Sequence, residues 1–335
     1  MASGKVARRT AVGDVEALLD SPEVAALIQR VAALGDPRGR KGYGARALIG
    51  ACLVKTLFAL PTWTRVAALI AEHPGLQDAL GDSPSVWACY RFTVKLRANQ
   101  PGLADCLDSI SAALQTALPE YGRNVAIDAS DLPAYANGQR YVYNNGPERE
   151  RFSDPDASWG HRSAVSTRAA GSFYGYKIHA AVCTRTELPV AWRMETARRN
   201  ESLYVAPLLD AARARGIHPV AVIADKGYDN NRVMDEVRER GAVPIICLRK
   251  GRPIPLSPIP YGSDEWKRLY RGRAAVEREF GRCKHDFGLS PLRVRGLERV
   301  QLHADLVMLG RLGQALMRAR EMQAAQVGAR AACQQ

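Results

Sequence analysis

No stretch of about 18 uncharged apolar residues occurs in the 335-residue chain, so no membrane-spanning helix is expected. The opening residues, MASGKVARRT, have no apolar h-region, and no secretory leader is expected there. No cysteines are spaced C-x-x-C. Several of the seven, Cys52, Cys89, Cys106, Cys183, Cys247, Cys283 and Cys333, sit inside apolar runs. That pattern predicts buried thiols in a reducing compartment, not zinc ligands or a disulfide frame. No Walker A sequence is present, so ATP use is not indicated. Gly42 to Ala47 spells G-x-G-x-x-A, but no apolar strand precedes it, which argues against a dinucleotide site. No internal repeat is found.

What the chain does have is positive charge. The formal net charge is +13 and the pI about 9.6, while 47% of residues are apolar. A sizeable core is therefore available, and a polyanionic partner, nucleic acid or an anionic surface, accounts for the charge. An arginine-rich composition without such a partner accounts for it equally well.

Residues 10 to 120 carry apolar residues at three- and four-residue intervals and predict an α-helical N-terminal domain, residues 1–118. Within it, SVWACYRFTVKLR (Ser85 to Arg97) reads as a basic amphipathic helix. The pattern changes after Leu118. NVAIDAS is an apolar strand ending at Asp128, and a polar tract follows from Leu132 to Gly171. FYGYKIHAAVCT, LPVAWRMET, PVAVIAD and AVPIICL read as strands. ESLYVAPLLDAARARG (with Asn200 as its cap), NRVMDEVRERG, Asp264 to Phe287 and Leu297 to Met322 read as helices. That order predicts an α/β domain over 119–322, a mixed sheet flanked by helices, with 323–335 as a frayed tail. Two strands each deliver an aspartate, Asp128 and Asp225, at their C-terminal end, where open α/β sheets bind ligands.

On a continuous helix through Asp264 to Phe287, Tyr270, Arg273, Glu277 and Lys284 fall within a wedge of about 60°. Leu269, Val276, Phe280, Cys283 and Phe287 form its buried stripe, and Arg268, Arg271, Arg278 and Arg282 a basic exposed face. Taken alone, Arg273 and Glu277 are an ordinary i,i+4 ion pair. Asp128, Asp225 and Glu277 together are a different matter. Three converging carboxylates repel, and divalent metal relieves the repulsion while binding substrate phosphates.

These residues carry a resemblance. The chain is similar to the DDE transposases of bacterial insertion sequences, of the insertion-sequence-four type. Their Y-x2-R-x3-E-x6-K signature is matched at every position by Tyr270, Arg273, Glu277 and Lys284. Their D-x-G-Y motif appears as Asp225-Lys226-Gly227-Tyr228, their first motif as AIDASDLP with Asp128, and their G-x-K-x-H segment as Gly175, Lys177 and His179. The resemblance covers about Asn124 to Leu309. It implies an RNase H-like fold, with Asp128, Asp225 and Glu277 holding two Mg²⁺ ions (Mn²⁺ substituting) as catalytic residues. It implies DNA contacts from Tyr270, Arg273, Lys284, Lys177 and His179. It further implies DNA partners (terminal inverted repeats and target DNA), a homodimer on DNA, no membrane, and a bacterial cytoplasmic, nucleoid-associated location. The chain departs from the type's best-known members in one respect. They carry a β-rich insertion before the glutamate helix, where Leu248 to Ser263 leaves only a short loop.

Asp131, before Pro133, reads as a turn residue and not as the metal ligand. Lys177 and His179, two apart on a strand, share a face. His179 is either a satisfied core residue or a site residue. The tract Tyr135 to Arg168 has the composition of a base-stacking segment and equally of a surface loop. Two further functions stand beside the active transposase: a silent transposase-derived DNA-binding protein, and an RNase H-like nuclease without strand transfer.

Overall fold

The computed structural model describes residues 10–34, 42–138, 153–162 and 169–333. Most of the polar tract from Tyr135 to Arg168 lies outside them. The described residues form two compact units. The first is Met1–Pro119 with His285–Leu289 and Asp305–Gln335; the second is Glu120–Lys284 with Ser290–Ala304.

The first unit is helical, as its periodicity predicts. Helices α1 (Ala11–Asp20) to α7 (Gln100–Ala117) include α3 (Ala45–Leu57), α4 (Trp63–Glu72), α5 (Pro74–Leu80) and α6 (Val86–Ala98). Side-chain caps set their starts. Thr10 Oγ1 accepts from Gly13 N–H, and Ser85 Oγ accepts from Ala88 N–H. Leu18, Leu53, Ile70, Leu76, Ile110 and Leu114 are wholly buried, joined by Leu312 and Leu316 of the last helix, α12 (Leu297–Cys333). Gln314 donates to Asp14 at 2.7 Å and Arg320 pairs with Glu23 at 2.7 Å. The sequence reading ended this helix at Met322. It runs on to Cys333, through Glu, Met, Gln and Ala, which favour the helix, with Gln323 donating to the Ala117 carbonyl at 3.2 Å. Its residues from Asp305 cluster with the first unit, where the sequence reading assigned them to the second.

The second unit is a mixed sheet flanked by helices, the RNase H-like α/β architecture. Strands β1 (Asn124–Pro133), β2 (Ser158–Arg162), β3 (Gly171–Cys183), β4 (Pro189–Thr196), β5 (Ala221–Ala224) and β6 (Val243–Ile246) give the order β2-β3-β1-β5-β6, with β4 also on β3. β3 runs antiparallel to β1, β2 and β4, while β1, β5 and β6 are parallel. After β4, a 3-10 turn (Glu201–Tyr204) capped by Asn200 leads into α8 (Val205–Ala214). Helix α9 (Asn231–Glu239), capped by Asn230, separates β5 from β6.

Three elements differ from expectation. β1 does not end near Asp128; antiparallel pairing with β3 carries it to Pro133, through a polar stretch whose own sequence reads as a turn. β2 lies where no strand was expected, because SWGHR has too few apolar residues to show alternation. The helix expected over Asp264 to Phe287 is broken. It comprises α10 (Asp264–Tyr270), a 3-10 turn at Arg271–Arg273 and α11 (Ala274–His285). The break sits on Gly272, where an added Cβ would lie 2.9 Å from Thr184 Cβ. Close backbone approach at that turn requires glycine.

Candidate active site

Strand register places the two aspartates. β1 and β5 pair from Asn124↔Ala221 to Ala126↔Ile223, and pairing stops there. Two residues on, Asp128 and Asp225 stand level on neighbouring chain segments and, by the two-residue strand period, on one face. Asp225, still extended, caps the following turn, its Oδ1 accepting from Gly227 N–H at 2.7 Å. Asp128 Oδ1 accepts from Ala129 N–H at 2.8 Å.

The signature helix covers that same face. Arg273 lies 3.7 Å from Asp128 Oδ2 and donates to Glu277 Oε1 at 2.6 Å. Lys284 donates to Ser130 Oγ at 2.7 Å, and Ser130 shares a face of β1 with Asp128. Glu277, on the helix between Arg273 and Lys284, thus sits over the aspartate face, its side chain 55% exposed. Asp128 is the electrostatically strained member. Burial pushes its carboxyl up to about 7, and the negative charges of Asp225 and Glu201 push the same way against the Ala129 N–H and Arg273.

Residues 122–311, more than half of the chain, match the transposase DDE domain family. The chain belongs to that family. Over 183 residues it is also 28% identical to a Burkholderia cepacia protein that carries the name of a transposase for insertion sequence element IS402, a match covering 51% of this chain and 79% of that protein. Membership implies DNA as partner and use of a divalent metal. No described helix is long and apolar enough to cross a membrane.

The residues fit such a metal in part. Asp128 and Asp225 offer only oxygen donors, the set a hard cation takes, and Mg²⁺ needs only one or two carboxylates besides water and phosphate oxygens. Among the described residues, however, no three His, Cys, Asp or Glu side chains are gathered to hold an ion. Glu277 is turned to Arg273 instead.

Other residues of the transposase motifs are placed less as expected. The break at Arg271–Arg273 takes Tyr270 off the helix of Glu277; its ring stacks on Trp266 at 4.7 Å and 12°. Lys177 and His179 pair across from Asp131 and Ala129, so they lie on the face of β1 opposite Asp128. Both are buried. Lys177 Nζ is held by Glu201 at 2.5 Å, and His179 stacks on Tyr204 at 4.1 Å. Burial drives the imidazole down to about 3, and both ring nitrogens lack a hydrogen-bond partner among the described residues. Both side chains are thus covered by protein, where the sequence expectation had them contact DNA. Asp131 is in the strand, not in a turn; it is set aside because it faces away from Asp128 and pairs with Arg162 at 3.7 Å. The expected solvated face of Arg278 and Arg282 is instead clamped on Glu187, which these arginines hold below the usual carboxylate range.

Sequence reasoning missed Glu201 and the Tyr228 hydroxyl. Tyr228, 2% exposed, has no hydroxyl partner among the described residues, and burial with the charges of Asp128, Glu201 and Asp225 raises its pKa. The one sequence signal for Glu201 is its place directly after the Asn200 cap.

Asp128 makes a pH prediction. Its carboxyl titrates at about 7 folded and near 4 unfolded, so between those values the folded state holds a proton that the unfolded chain releases. Stability then falls as pH rises through that window. In chelator, the urea midpoint of the wild type relative to Asp128→Asn should decline from about pH 4 to pH 7. Parallel midpoints would show that Asp128 is not strained.

Proposed function

We propose that the chain is an active transposase, binding the ends of an insertion sequence, cutting them and joining them to target DNA. The observation that carries this reading is the level placement of Asp128 and Asp225 beyond the last residues that pair β1 with β5, with Arg273, just before α11, spanning Asp128 and Glu277.

In this reading Asp128 and Asp225 hold Mg²⁺ (two ions, Mn²⁺ substituting), and Glu277 completes the set once it leaves Arg273. Metal bound there would activate the attacking oxygen and stabilise the leaving one. The chain's own residues do the rest. Arg273 balances Asp128 and Glu277 before metal arrives, then grips a phosphate through paired N–H donors. Lys284, beside Ser130, supplies a second positive charge along the same helix. Glu201 holds Lys177 under the site. Tyr270, stacked on Trp266, keeps one ring edge for DNA. The second unit is taken as the catalytic domain and the helical first unit as a DNA-binding region. A dimer forms on DNA, in the bacterial cytoplasm at the nucleoid.

The test is incubation of the full chain with duplexes cut from the DNA flanking its gene, in Mg²⁺, in Mn²⁺ and in chelator. Strand breaks at the element ends in metal and none in chelator are expected. Selective binding with no cleavage in either metal would instead mark a silent transposase-derived protein. Breaks without joining to a target duplex would mark a nuclease.

A further inference from the structure

Helix α6 of the first unit is one-sided in an unusual sense. Ala88, Cys89, Phe92 and Leu96 are buried. Trp87, Tyr90, Arg91, Val94 and Lys95 are exposed, at the i, i+3, i+4, i+7, i+8 spacing of one helix face. Trp87 is 72% exposed, Val94 57% and Tyr90 48%, and the two rings lie 6.1 Å apart. The helix contains no acidic residue. Among the described residues, neither Arg91 nor Lys95 has an ion-pair or hydrogen-bond partner through its side chain. Arg30 and Arg46 of the same unit are, by contrast, tied to Asp105 and Asp20.

Large aromatic area in water is costly to keep, at about 25 cal/mol per Å² of apolar surface. Two unpaired cations flank it. A protein partner for the patch would need acidic residues around an apolar centre; a second copy of this chain brings the same positive face and is repelled. Duplex DNA offers both complements. Phosphates pair with Arg91 and Lys95, and the floor of the major groove offers thymine methyls and base edges to Trp87, Tyr90 and Val94. The groove, about 12 Å wide, admits a single α-helix, and the exposed stripe of α6 runs for roughly 12 Å along its axis.

We propose that this face of α6 is the duplex-docking surface of the first unit, entering the major groove. The assignment rests on the reading of the chain as a DNA-acting transposase, and goes beyond it by naming the element that reads the duplex. On the same reading, the site residues Arg273 and Lys284 of the second unit meet backbone phosphates, which carry no sequence information.

The experiment is equilibrium binding of the full chain to labelled duplexes from the DNA flanking its gene, against a scrambled duplex, over about 50 to 200 mM salt. The variants are Trp87→Ala and Arg91→Ala/Lys95→Ala, with Arg30→Ala as charge control. All are exposed positions, and unchanged melting temperatures confirm folding. The double variant should flatten the salt slope by about two. Trp87→Ala should weaken binding to the flanking duplex about tenfold and narrow its margin over the scrambled one, with the slope kept. Arg30→Ala should change neither. Cleavage by the wild type with unchanged affinity and slope in both α6 variants would overturn this assignment alone. No duplex binding by the wild type would overturn it together with the transposase reading. Conversion of a wild-type dimer to monomer by Trp87→Ala, with DNA binding intact, would give the patch to a second copy and overturn it.

Discussion

Asp225→Asn should lose metal-dependent cleavage by about a thousandfold or more while binding end DNA at least as well as the wild type. The reasons are local. Asp225 Oδ1 caps the turn that follows β5, accepting from Gly227 N–H at 2.7 Å. An asparagine keeps that acceptor and the shape of the side chain, so the turn and the fold survive. What it removes is a negative charge level with Asp128. If a divalent ion sits between these two residues, the loss costs several kcal/mol of transition-state stabilisation, each 1.36 kcal/mol being about tenfold in rate. Binding should hold, because the DNA meets one negative charge fewer. A second consequence separates this from a structural defect. With Asp225 neutral, part of the pressure on Asp128 is gone, so its carboxyl should fall from about 7. The check is cleavage of flanking-end duplexes alongside a thermal melt with and without Mg²⁺. Cleavage within tenfold of the wild type would remove Asp225 from the metal site.

The site's skeleton was legible in the chain because its parts are punctuated. NVAID and PVAVIAD are apolar runs that stop at an aspartate, and burial of a parallel strand on both faces produces such runs. The signature spacing put Arg273, Glu277 and Lys284 on one helix edge; Arg273 instead ends the 3-10 turn before α11, yet it still reaches Asp128, while Lys284 reaches Ser130. The losses have physical causes. Periodicity reads helix on both sides of Arg271–Gly272–Arg273 and is blind to a 3-10 turn at a glycine whose missing Cβ makes room for Thr184, a residue distant in sequence. The far half of β1 is polar because its β5 edge is unpaired beyond Ala126, so the alternation that marks a half-buried strand fades where the site opens. Lys177 and His179 share a face, as their spacing said, but which face depends on register with β1, and register is a tertiary fact. The cations of α11 were visible as charge and invisible as partners of Glu187, which lies on the β3–β4 turn.

Gly175→Ala should destabilise the second unit more than its size suggests. An alanine Cβ there would lie 2.3 Å from the Leu132 carbonyl oxygen, 2.8 Å from Ala134 N and 3.0 Å from Pro133 Cα. All three are backbone atoms, so no rotamer change relieves the clash. The chain must move β1 away from β3, at the end of the register that runs Val125↔Cys183 to Pro133↔Gly175. Gly175 is held on its other sides too: Ala197 N–H donates to its carbonyl at 3.1 Å, and Ser158 of β2 pairs with it. Overpacking of this kind costs about 1–3 kcal/mol, and more where only backbone can yield. For a unit of this size that is a drop of roughly 5–10 °C in melting temperature. Gly171, four residues earlier on β3, has nothing within 4 Å of an added Cβ, so Gly171→Ala is the matched control and should melt near the wild type. The comparison also decides why a glycine stands at the head of the G-x-K-x-H segment. If Gly175 were there to let DNA approach the backbone, Gly175→Ala would melt normally and lose cleavage. If it is there to let β1 and β3 close, stability falls first, and cleavage falls with it because β1 carries Asp128.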